Sequence, residues 1–271
     1  MTHPAAHIGL WLVFLVTAML LPFLPGRYDP IAEILSGGAT VAAFAGLLLV
    51  PIGLAWVISG RDYRSAMAAV IAGGFVAAAA AVAAGASGSL AVAGVLVVMA
   101  GAWLVRLSGR VAAARRTGAR LPRWVPVALI VVPLASVALR FTVVGSAASR
   151  ARDRAIANAA TIIADIEQYR QRTGVYPAAL NSLWPDYPVG VIGIERYRYE
   201  PNAQGYNLYF RQPSTDIATQ EIVMYNPAGE QDFSSHEADL LQLSPEQIRL
   251  QRGYFASHQL AQAGWKRFLF D

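Results

Sequence analysis

The run from Trp124 to Pro177 constrains this chain most. Val125 to Leu139 is apolar. Past Arg140 the pattern turns amphipathic, from Ala155 to Tyr169, then stops at Gly174 and turns at Tyr176-Pro177. Such a run predicts a membrane helix that continues outward as the spine of a small water-soluble domain.

Composition divides the chain at the same place. Of its 271 residues 55% are hydrophobic and 14% charged, against about 25% charged in ordinary soluble domains. Residues 1–145 carry ten arginines and three acids (Asp29, Glu33, Asp62), and residues 146–271 carry twelve basic and fourteen acidic residues. The pI near 9.7 therefore belongs to the apolar half. A slightly acidic soluble half argues against nucleic acid as a partner. The chain has no cysteine, which removes disulfides, thiol catalysis and thiolate metal sites.

A span needs about 20 mostly apolar residues. Five stretches are expected to meet that need, at residues 8–24, 39–58, 66–84, 90–105 and 125–144, in a transmembrane domain covering 1–145. The loop with Arg61 and Arg64 and the loop from Arg106 to Arg123 are arginine-rich. The loop after the first stretch balances Arg27 against Asp29 and Glu33. Arginine bias then puts the N-terminus in the cytoplasm and residues 146–271 outside. Trp11, Trp56, Trp103 and Trp124 fall near the cytoplasmic ends and are expected as interfacial anchors. Arg140, near the outer end of the fifth stretch, is expected to snorkel to the headgroups as a further anchor. Gly94 with Gly101, and Gly73 with Ala77, are candidates for close helix approach. The Arg106–Arg123 loop suits a short basic helix on an anionic leaflet, or serves only as the topology signal.

In residues 146–271 the apolar positions Ile156, Ala159, Ile163 and Ile166, with Ala155, Ile162 and Tyr169 beside them, recur at helical spacing. Gly174 after Arg170 and Arg172 fits a C-terminal cap. Pro177 is placed to open a short helix, Ala178–Leu183. Strands are expected around Tyr197 and Tyr199, over Tyr206–Phe210 and over Ile222–Tyr225, with a closing hairpin of Gly253–Leu260 and Trp265–Phe270. Ser244-Pro245-Glu246 reads as a helix start. The expected fold is a membrane α-helical bundle followed by an α+β domain, a long helix packed on a mainly antiparallel sheet of four or five strands.

The run Ile166-Glu167-Gln168-Tyr169, then Gly174-Val175-Tyr176-Pro177, then Leu180 and Leu183, resembles the globular start of type IV pilins and type II secretion pseudopilins. The resemblance implies a membrane helix continuing into the domain helix, a Gly-x-Tyr-Pro turn and a sheet. It implies a bacterial inner membrane with residues 146–271 in the periplasm or outside the cell. No prepilin peptidase signature precedes the helix, so the architecture carries over and the polymer does not.

Few residues point to chemistry. His3 and His7 share an i,i+4 spacing without a third ligand nearby. Asp232, Glu237 and Asp239 in the loop from Asn226 are candidate calcium ligands, which the pseudopilin resemblance also implies, although they lack EF-hand spacing. Tyr197, Tyr199 and Tyr209 are candidates for a binding surface. No nucleophile elbow, phosphate loop or dinucleotide fingerprint is present, and no cofactor is expected. The sequence favours a non-enzymatic membrane protein whose outer domain binds or scaffolds an envelope partner or a second copy of itself. The alternatives are a transporter or channel subunit with an outer accessory domain, and a membrane-associated hydrolase.

Overall fold

The computed structural model describes residues 4–59, 63–86, 90–118, 124–183, 186–201, 205–213, 219–229, 231 and 254–270. They divide into two compact units. The first holds Met1–Leu21 and Pro30–Ser146. The second holds Ala147–Asp271 together with Pro22–Asp29, a loop that the sequence assigns to the first domain.

Among its described residues the first unit forms the helices α1 (Pro4–Leu20), α2 (Pro30–Gly46), α3 (Leu49–Ser59), α4 (Tyr63–Ala86), α5 (Leu90–Thr117) and α6 (Trp124–Leu139). Among the described residues two helical runs, within α4 and from Trp124, are long and apolar enough to cross a membrane. The count becomes three if α2 and α3, bent by 43° at their break, form one span. The expectation of five is corrected accordingly. The first stretch forms a helix short of the usual span length, and the second is broken at Leu47-Leu48. Much of the fourth stretch has side chains outside the described residues. The arginine-rich loop is corrected as well, because α5 runs on through Arg106, Arg110 and Arg115 to Thr117.

The inner seam of this unit is built on other glycines than expected. A Cβ on Gly53 would lie 2.8 Å from Ile130 Cγ1 and 2.9 Å from the Pro126 carbonyl, and one on Gly46 would lie 3.3 Å from Pro133. These glycines let α2 and α3 pack close to α6. Gly94 and Gly101 have open space instead. Trp56, Ala66, Ala69, Val70 and Val111 form a buried cluster with Leu104, Leu107 and Leu129 packed around it.

Helical hydrogen bonding continues from α6 through a five-residue π-helix, Arg140–Val144, into α7 (Gly145–Thr173). In the second unit α7 buries Ala148, Ala151, Ala155, Ile156, Ala159, Ile162 and Ile166. The stripe centres on Ile162, while Ile163 is half-buried. Each isoleucine fully removed from water contributes about 1.5–3 kcal/mol. Gly174 ends α7 as expected, with φ +79° and its N–H donating to the Arg170 carbonyl at 2.8 Å. The helix expected at Ala178–Leu183 is only a 3-10 turn, Leu180–Ser182, because Ala179 is extended.

Five strands follow: β1 (Arg198–Pro201), β2 (Tyr206–Gln212), β3 (Gln220–Tyr225), β4 (Tyr254–Gln259) and β5 (Trp265–Phe270). All pairs are antiparallel, in the order β1-β2-β3-β5-β4, so the expected helix-on-sheet domain and closing hairpin are borne out. Strand alternation sends Tyr206, Leu208, Phe210 and Gln212, with Glu221, Val223 and Trp265, to one face. Three contacts show that this face meets α7: Gln212 Nε2 donates to the Ala148 carbonyl at 3.0 Å, Tyr197 Oη to the Ala155 carbonyl at 2.6 Å, and Arg152 pairs with Glu221 at 3.0 Å.

The loop Pro22–Asp29 is bound into this unit by its backbone. Gly193 N–H donates to the Pro22 carbonyl at 2.7 Å and Ile192 N–H to the Leu24 carbonyl at 3.0 Å. In return Gly26 N–H reaches the Gly190 carbonyl at 3.2 Å and Asp29 N–H the Ile192 carbonyl at 3.0 Å. Gly193 is required here, since a Cβ would lie 2.6 Å from Pro22 Cβ and 2.7 Å from its carbonyl oxygen.

Candidate functional site

Two recesses stand out among the described residues of the α+β unit. The larger, about 520 Å³, lies between the Ala157, Asn158, Thr161 and Asp165 stripe of α7 and the segment Asp186–Gly190. Asn158 Nδ2 donates to the Val189 carbonyl at 2.7 Å and holds that segment against the helix. Gly190 has φ +76°, and a Cβ there would strike Asn158 Nδ2 at 2.7 Å. Tyr187 Oη donates to Asp165 Oδ2 at 2.9 Å. Partial burial, then the neighbouring carboxylate, pushes the Tyr187 phenol up to about 12, so it remains a neutral donor. Two carboxylates, a hydroxyl and an amide edge suit a cationic or polyhydroxylated group. The smaller recess, about 290 Å³, is lined by Ala179 and Leu180 and by Arg196 to Tyr199, beside the sheet-edge strand β1.

The tyrosines do not form one surface. Tyr197 is buried and spends its hydroxyl on the Ala155 carbonyl. Tyr199 is half-buried and donates to the Pro177 carbonyl at 2.9 Å. Tyr209 lies on the sheet face away from α7 and donates to Glu200 Oε1 at 2.6 Å. Burial raises all three phenols, with Glu200 contributing at Tyr209, which reaches about 12. The three do not make one platform: Tyr197 is buried, Tyr199 is half-buried beside it at the smaller recess, and Tyr209 is on the opposite face.

Behind them lies an aromatic layer. Tyr206 packs on Tyr176, Tyr199 and Tyr225 with ring centroids 5.1, 5.5 and 6.0 Å away, and Tyr225 continues to Trp265 at 5.4 Å. The Tyr206 hydroxyl is buried without a partner in hydrogen-bond geometry. Burial raises its pKa first, then Tyr225 and the Glu167 carboxylate. The Asp165–Tyr187 recess could not be found from the sequence, because it joins residues far apart in the chain.

The expected anchors separate. Trp11 is exposed and Trp124 half-buried. Trp56 is only 5% exposed, inside the core cluster of its unit, so it is a packing residue and not an interfacial anchor. The Trp103 side chain lies outside the described residues. Arg140 is 7% exposed, which corrects the snorkelling expectation: the residue at the start of the π-turn is buried. Asp232, Glu237 and Asp239, like His3, His236 and the Ser244-Pro245-Glu246 signal, lie outside the described residues. Among the described residues no group of three potential metal ligands comes together.

Comparison with known protein families, curated proteins and solved structures finds no match.

Proposed function

We propose that this chain is a non-enzymatic membrane protein that presents a pilin-like α+β domain on the outer side of a bacterial inner membrane, for binding or scaffolding an envelope partner. The carrying observation is the 50-residue helical run Trp124–Thr173. Its first part is apolar with lipid-compatible residues such as Val127, Val131 and Leu134 exposed, and its last part forms the spine of the sheet domain.

The Pro22–Asp29 clasp supports a shared side for that loop and the sheet domain. The clasp and residues 190–194 share one folded unit, so they lie on one side of any membrane the helices cross. An even number of crossings must then separate Asp29 from Ala147. The helices α4 and α6 supply two, and the α2–α3 pair and α5 add to that number together or not at all. The arginine bias puts the clasp and the sheet domain outside by an independent route.

The test places a photo-crosslinking residue at Asp186 or at Arg196 of the full chain in its native membrane, with Phe75 as a control exposed on α4. Discrete protein adducts from the recess positions and none from Phe75 support the reading. Absence of adducts from both recesses, together with solute flux in proteoliposomes, overturns it.

One observation favours a transport function as the second reading. Ser36, Thr40, Ser136 and Arg140 are buried polar residues of the helical unit, and an ionisable group inside a span marks a substrate path by default. Flux that depends on Ser136 and Arg140 would establish it.

A further inference from the structure

The helix α5 changes character along one exposed face. Val98 and Val105 are 71% and 72% exposed, with Gly101 and Ala102 exposed beside them. The next residues on that face are Arg106 and Arg110, also exposed, and Arg116 follows. The opposite face is docked. Val111 is buried in the Trp56 cluster, Leu104 and Leu107 pack on it, and Tyr63 Oη donates to the Ala114 carbonyl at 3.1 Å. The guanidinium groups are therefore carried by a fixed helix that rises about 15 Å from Arg106 to Arg116.

Charge and hydrophobicity together name the occupant. Between Glu33 and Asp153 the sequence holds one acid, Asp62, so the helical unit itself offers these arginines few carboxylates. An exposed valine face suits lipid tails, and the first anions beyond the tails are phosphates. The guanidinium fork matches a phosphate with two parallel hydrogen bonds. The boundary between tails and headgroups then falls between Val105 and Arg106.

We propose that Arg106 and Arg110 form a binding site for the phosphate of an anionic phospholipid, with Arg115 and Arg116 adding attraction from farther out. The proposal rests on reading α5 as lipid-covered.

The full chain is reconstituted in nanodiscs of phosphatidylcholine with and without phosphatidylglycerol, and retained lipid is read by native mass spectrometry. The wild type retains phosphatidylglycerol over phosphatidylcholine. Retention falls about five-fold for each arginine removed in R106Q and R106Q/R110Q, while R106K/R110K, which keeps charge but loses the fork, falls between. Unchanged retention in R106Q/R110Q overturns the site, as does a loss in R106K/R110K equal to that in the glutamine variant. Displacement of the lipid by inorganic phosphate at equal concentration assigns the site to the free ion and overturns the lipid assignment. Failure of the wild type to enter nanodiscs at all overturns the membrane reading itself, which separates the two.

Discussion

Arg152 on α7 donates to the buried carboxylate of Glu221 on β3 at 3.0 Å, and Arg267 on β5 approaches the other oxygen at 3.8 Å. The Glu221 side chain is 2% exposed. One carboxylate thus ties the long helix to two adjacent strands. Removing it strands Arg152 beneath the sheet without its counter-charge. Glu221→Ala is expected to destabilise the α+β unit by about 3–5 kcal/mol, read as a lowered urea midpoint of Trp265 fluorescence in the detergent-solubilised chain. An R152M/E221M double variant should recover much of that loss, because apolar residues of similar size leave only Arg267, 26% exposed and able to reach water, without its partner.

The tyrosine layer sets an alkaline limit. Tyr187 and Tyr209 are held near 12, and Tyr197, Tyr199, Tyr206 and Tyr225 are also raised, burial being the largest cause throughout. A folded-state pKa above the unfolded value of about 10 gives stability that is present in full below pH 10 and lost as pH rises through the folded values. Phenolate absorbance of these tyrosines should therefore appear together with unfolding above pH 10. Smooth titration near pH 10 with the fold intact would contradict the burial.

Tyr197→Phe removes one buried hydrogen bond, to the Ala155 carbonyl at 2.6 Å, and keeps the ring contact with Phe210. A cost of about 1 kcal/mol is expected, measured by the same urea titration.

Gly193→Ala should open the clasp. Its new methyl group has nowhere to go between Pro22 and Pro213. Hydrogen exchange at the amides of Gly26, Asp29 and Ile192 should accelerate at least ten-fold, while amides in β3 stay protected.

Ser136→Ala divides the two functional readings. The Ser136 hydroxyl is buried without a partner, so its removal is expected to leave stability unchanged or raised by up to about 1 kcal/mol. Preserved stability with loss of solute flux would favour transport, and preserved stability with preserved partner adducts would favour scaffolding.

Parts of this fold were legible because local pattern carries them. The Ile156 to Ile166 stripe, the Gly174 cap and the alternating Tyr206–Phe210 run each follow from spacing alone. The hairpin at Gly264 was legible too, and its glycine has φ +79°. The span count was less legible, since apolar composition does not report the break at Leu47-Leu48 or its 43° bend. Trp56 and Arg140 misled for one reason: their expected places rested on average preferences of tryptophan and arginine near membranes. Trp56 is instead taken into the core cluster of its unit, and Arg140 is buried. The two recesses were also illegible, because Asp165 meets Tyr187 and Asn158 meets Val189 only through the folded chain.

The clasp also orders events in biosynthesis. Pro22–Asp29 leaves the ribosome roughly 160 residues before its hydrogen-bond partners Gly190 and Ile192. At ordinary elongation rates that is a wait of about 8–30 s. Over that interval the early loop lacks its backbone partners, and every helix from α2 to α6 is made before the loop can be sealed. Completion of the sheet domain thereby waits on synthesis of the whole helical unit.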